Sequence, residues 1–97
     1  MVVGYGALEL HLPYAPDLKS KRRIVRGLVD RLHARYRISV AETGHHDLLQ
    51  RAEIGIAVVA VDAATVEKIL DEVGRIADSE VEAVVIDWSP VVIEGDE

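Results

Sequence analysis

Two helices packed on one face of a four-stranded antiparallel sheet, an α+β fold, is the architecture this sequence predicts. Three observations carry it. Apolar residues alternate with period two near 2–12, 37–43, 50–62 and 80–88. They recur at helical spacing in 17–37 and 63–78. Proline, glycine and aspartate mark the boundaries. The resulting order is β-α-β-β-α-β, the ferredoxin-like arrangement, in one domain over residues 1–97.

From Val2 to Leu12 the even positions are apolar or glycine and the odd ones mixed, as in a strand with one buried face. Gly4 and Gly6 lie on the apolar face and leave room for a packed helix. Pro13 and Pro16 end the strand, and Asp17 is a ready N-cap. The helix that follows runs to Arg37, with Leu18, Val25, Leu28, Val29, Leu32 and Tyr36 on one face. Arg37 to Thr43 alternates again, and Gly44-His45-His46-Asp47 is a turn. Gln50 to Asp62 is apolar almost throughout, which predicts a central strand covered on both faces. Asp62 caps a second helix, Ala63 to Asp78, whose polar face carries Glu67, Asp71, Glu72 and Asp78. The fourth strand, Glu80 to Trp88, is interrupted at Ser89-Pro90. A short VVIE extension and an acidic tail, Gly95-Asp96-Glu97, follow.

With two helices on one face, the half-apolar second face of the sheet, carrying Val3, Tyr5, Ala7, Val59 and Val61, has no cover within one chain. This predicts a homodimer. The chain has no cysteine, so thiol chemistry is excluded and a reducing cytoplasm is the simplest home. No apolar run approaches a membrane span, so no membrane partner is expected.

Charge is distributed unevenly. The formal net charge is −6, yet eight of the eleven Lys and Arg residues lie between Lys19 and Arg37. Lys19, Arg22, Arg23 and Arg26 project on one flank of the first helix, and Lys21 falls on its apolar side, where it must snorkel. Arg51 opens the third strand and could extend the patch. Cations around a helix N-terminus with free N–H groups suit a phosphate. The competing reading is that the acidic second helix merely neutralises the first.

Glu42, His45, His46 and Asp47 cluster at one hairpin, with His11 as a possible third ligand. Imidazoles and carboxylates are zinc or manganese ligands and can do acid–base work. Against this, Asp47 capping a polar turn explains them equally. Trp88 reads as a core or dimer anchor. No nucleophile triad, phosphate loop or dinucleotide motif is present, and the sheet lacks the paired aromatics that stack RNA bases.

Leu18, Lys19, Lys21, Arg22 and Arg23, then Ser39-Val40-Ala41-Glu42, then His45, Asp47, Leu48, Gln50, Arg51 and Ala52 form a pattern that resembles the YlxP-like bacterial proteins of unknown function. Gly44, His46 and Leu49 stand where relatives often carry Asp, Gln and Trp, so the double histidine departs from the pattern. The resemblance implies a ferredoxin-like fold. It also implies a setting near translation-initiation and ribosome-maturation genes.

The expected function is a small, non-enzymatic cytoplasmic factor. It needs no cofactor or metal and contacts ribosomal RNA or the ribosome through Lys19, Lys21, Arg22, Arg23, Arg26 and Arg51. The alternatives are a dimeric sensor of a small anionic ligand at the first helix's N-terminus, and a metal-dependent hydrolase at Glu42, His45, His46 and Asp47.

Overall fold

The structure, a computed structural model, describes residues 1–95; Asp96 and Glu97 of the acidic tail lie outside the described residues. The elements are β1 (Val2–His11), α1 (Leu18–Arg35), β2 (Ser39–Gly44), β3 (Arg51–Ala60), α2 (Ala63–Asp78), β4 (Val84–Trp88) and β5 (Val91–Glu94). The sheet is antiparallel in the order β2-β3-β1-β4, with β5 also paired to β1. This is the expected ferredoxin-like α+β fold with one strand added. β4 pairs Leu8 to His11 and β5 pairs Val2 to Tyr5, so the two continue one line along β1, broken at Ser89-Pro90. Pro90 has no N–H to give to a ladder.

Boundaries shift for local reasons. α1 stops at Arg35 because Tyr36 turns extended, at φ −134 and ψ 147. The strand expected from Glu80 begins only at Val84, since the Glu80 N–H donates back to the Ala77 carbonyl and prolongs the turn. Asp17 and Asp62 cap their helices as expected, accepting from the N–H groups of Ser20 at 2.8 Å and Thr65 at 2.7 Å. Those bonds hold both carboxyls below their ordinary range.

The core lies between sheet and helices. Leu8, Leu10 and Leu12 of β1 and its end, with Ala52, Ile54 and Ile56 of β3, meet Ile24, Val25, Leu28 and Leu32 of α1 and Val73 and Ala77 of α2. The buried stripe of α1 differs from the expected one. Ile24 is inside, whereas Leu18 in the first turn is 41% exposed. At 100° per residue, 21, 24, 25, 28 and 32 form one band, and Lys21 belongs to it.

Gly4 faces α2, as its place in the sequence suggested. A Cβ there would lie 2.7 Å from Leu70 Cδ1. Gly6 accommodates a side chain instead: its Cβ would lie 2.9 Å from the Trp88 ring. The same indole fills the space over Gly74 of α2, and its Nε1–H donates to the Leu70 carbonyl at 3.1 Å. Trp88 is therefore a core anchor with its polar atom satisfied.

The second face of the sheet is open in the monomer. Register places Val59, Val3 and Ile93 in one cross-strand row and Ala57, Tyr5 and Val91 in the next. Tyr5, Val59, Val91 and Ile93 are 45–63% exposed. β3 was expected to be covered on both sides, and the chain itself covers only one. Both helices lie on the other face, and Ala57 and Val59 stay exposed on this one.

Candidate nucleic-acid interface

The eighteen residues of α1 present their cations in three different settings. Arg23 makes a forked pair with Glu82, Nη2 to Oε2 at 2.9 Å and Nη1 to Oε1 at 3.3 Å. That pair holds the Glu82 carboxyl below its ordinary range. Arg31 pairs with Glu80 at 3.0 Å. These counter-ions come from the turn between α2 and β4, not from the acidic face of α2. The Tyr36 hydroxyl, helped by Lys68, Arg75 and Arg35, holds the carboxyl of Glu72 on that helix below its ordinary range, while burial and the same acid raise the tyrosine. Neutralisation within the chain thus accounts for Arg23 and Arg31.

It does not account for Lys19, Arg22 and Arg26. All three are exposed, and none has an acidic partner among the described residues. With Asp17, Ser20, Arg23, Gly27 and Asp30 they line a shallow depression of about 580 Å³ along the outer face of α1. Gly27 lies mid-helix and exposed, and a Cβ built on it would meet nothing within 4 Å among the described residues. Glycine in an exposed helix interior costs about 0.8–1.0 kcal/mol relative to alanine. No neighbour among the described residues requires it. Sequence reading passed over this residue; its signal was a glycine on the polar face of a strongly periodic helix.

Lys21 has the opposite character. It was expected among the phosphate-contacting cations, and the structure withdraws it from the surface at 3% exposure. Its ammonium donates to the carbonyls of His45 and Leu48, each at 2.6 Å, and lies 3.5 Å from Glu42 Oε2. The stem follows the apolar stripe, and the amine, unable to reach water, pins the β2–β3 turn. A cation engaged this way is not available to RNA. Arg51 is likewise separated from the patch. It lies on the open face of the sheet, across from α1, and Nη2 donates to Glu9 Oε2 at 3.4 Å.

The histidine turn spreads its side chains. His45 adopts φ 60, a left-handed backbone for a non-glycine residue, and its Nε2 lies 3.0 Å from Glu9 Oε2. His46 reaches toward Glu42 Oε1, at 3.8 Å, and Asp47 is exposed. His11 stands opposite Arg51 in the β1–β3 register. Among the described residues no three His, Asp or Glu side chains converge in a way that could hold a metal ion. Glu42 faces Lys21 with one oxygen and His46 with the other, so the hydrolase arrangement is not assembled. The acid that organises this end of the sheet, Glu9, was not singled out in the sequence. Its role depends on a cross-sheet approach that only folding creates. No helix among the described residues is long and apolar enough to cross a membrane.

Residues 3–89, which include α1, the histidine turn and both helix caps, match the family described as protein of unknown function DUF503. The chain belongs to this family. It is also similar to the uncharacterized protein YlxP of Bacillus subtilis (strain 168), at 31% identity over 78 residues, which cover 80% of this chain and 85% of that relative. Membership bears out the YlxP-like resemblance. In this DUF503 chain the matched residues contain both the exposed cations of α1 and the buried Lys21.

Proposed function

We propose that this protein is a non-enzymatic cytoplasmic factor that contacts ribosomal RNA through the outer face of α1, with Lys19, Arg22 and Arg26 as the phosphate-binding residues and Arg23 at the margin. One observation carries the reading: on a chain of net charge −6, these three cations stand exposed without acidic partners among the described residues, while Arg23 and Arg31 beside them are paired. Phosphodiester backbones are recognised by such point charges. A small anion seated on the helix N-terminus is supported less well. Asp17 already directs its own carboxylate at the Ser20 N–H, and a second negative charge there is repelled.

The apolar rows of the open sheet face support a second part of the reading, a homodimer formed face to face through Tyr5, Val59, Val91 and Ile93. Pairing of this kind leaves α1 outward on each copy, since the helices cover the other side of the sheet.

Sedimentation with purified ribosomal subunits tests the RNA contact. Three neutralised phosphates predict roughly a 20–40-fold loss of affinity between about 50 and 200 mM salt. Changing Lys19, Arg22 and Arg26 together to Glu abolishes cosedimentation with an unchanged circular dichroism spectrum. A folded triple variant that sediments as before removes α1 as the site.

A further inference from the structure

Gly27, like the unpaired cations beside it, is a residue of the α1 surface whose identity the fold does not explain. Close helix packing is the ordinary reason for glycine inside a helix, and here none of the described residues outside the helix's own turn lies within 4 Å of where its Cβ would be. Turn chemistry does not apply either, because α1 runs uninterrupted from Leu18 to Arg35. The remaining reason is an approach from outside the chain. Arg23 lies one turn before Gly27 on the same face, and Arg22 and Arg26 border the same depression from its flank. Asp17 and Asp30 close the depression at either end. The cationic stretch from Lys19 to Gly27 spans about 12 Å at the helical rise per residue. That is room for two or three successive phosphates of one strand and for no longer contact.

We infer that Gly27 is a steric notch at which one sugar–phosphate unit of an RNA strand meets the α1 backbone, held there by Arg22 and Arg26. This rests on the reading of α1 as an RNA contact and adds to it a contact geometry. Charge alone tolerates any neutral side chain at position 27, whereas a notch does not. Affinity therefore depends on the volume of residue 27, and the salt dependence stays that of the unaltered protein.

The test uses the full chain and purified ribosomal RNA, titrated at low and high salt. Gly27→Ala and Gly27→Gln both replace glycine with good helix formers, so the melting temperature rises, by about 4–8 °C for the alanine variant. Affinity falls in the order Gly, Ala, Gln, at least tenfold for Gln, with the salt slope unchanged. A Gly27→Gln variant that is folded and binds within twofold of the original overturns the notch. The Lys19, Arg22 and Arg26 charge reversal run beside it separates the two readings. If it loses binding while Gly27→Gln keeps it, the phosphate contact stands and only the notch falls. If it keeps binding, or if the unaltered protein does not bind, both fall.

Discussion

Replacing Lys21 with Met tests the clearest departure from the expected site. Methionine keeps the stem's volume inside the α1 stripe and removes the ammonium. Two carbonyls, of His45 and Leu48, then lose donors at 2.6 Å, and Glu42 loses its cation at 3.5 Å. A hydrogen bond to a charged group contributes about 1.5–3 kcal/mol net. Removing one partner of a buried pair costs about 3–5 kcal/mol. The Glu42 oxygen that faces Lys21 is itself buried, so stranding it adds to the loss of the two hydrogen bonds, and the expected loss is about 3–5 kcal/mol. At about 0.05–0.15 kcal/mol per residue the whole chain has roughly 5–15 kcal/mol to lose. Urea denaturation followed by circular dichroism should show the midpoint falling by roughly 2 M, for a slope near 1.5–2 kcal/mol per M. Amide exchange should quicken first at the Leu48 N–H, which donates to the same His45 carbonyl at 3.0 Å. The Lys21→Met, Glu42→Gln double variant should recover part of the loss, since the stranded carboxylate is then neutral. A destabilisation below about 1 kcal/mol would refute the clasp. The folded single variant should still sediment with ribosomal subunits, because Lys21 is not on the outer face of α1.

Gly74→Ala places a Cβ 2.9 Å from Trp88 Cδ1 and should cost about 1–3 kcal/mol, with a shift in the emission of the chain's single tryptophan. Gly27→Ala, the same substitution on the other helix, should stabilise by about 0.8–1.0 kcal/mol; equal signs for the two would undo the distinction between packed and open glycines. Asp17, Asp62, Glu72 and Glu82 all have lowered folded-state pKa values, so their contribution is present above the ordinary carboxylate range and is lost as pH falls through the folded values. The melting temperature should decline below about pH 4, and an Asp17→Asn, Asp62→Asn variant, still capped, should decline less steeply. Val59→Asp should convert the proposed dimer to monomer in equilibrium sedimentation at tens of micromolar without lowering monomer stability, and a monomeric unaltered protein would exclude the face-to-face pairing.

Much of the fold was legible along the chain because periodicity is a local property. The alternation of Val2 to Leu12 and the repeat of Val66, Ile69, Leu70 and Val73 each report one buried face, and Asp17 and Asp62 announce caps that form within three residues. Gly4 was readable as a place for a helix. The concentration of cations between Lys19 and Arg37, and an apolar sheet face left without cover, were also present in the sequence. Which cation does what was not. Arg23 is paired because Glu82, fifty-nine positions later, arrives beside it, and Arg51 leaves the patch because β3 turns it to the far side of the sheet. His45 meets Glu9 because β1 brings that acid across from thirty-six positions away. Lys21 looked like one more basic residue on a basic helix. Only packing, by burying its stem and offering two carbonyls at the end of it, made it part of the interior. Charge type is written in the sequence. The desolvation and the distances that decide its use arise only when separate elements meet.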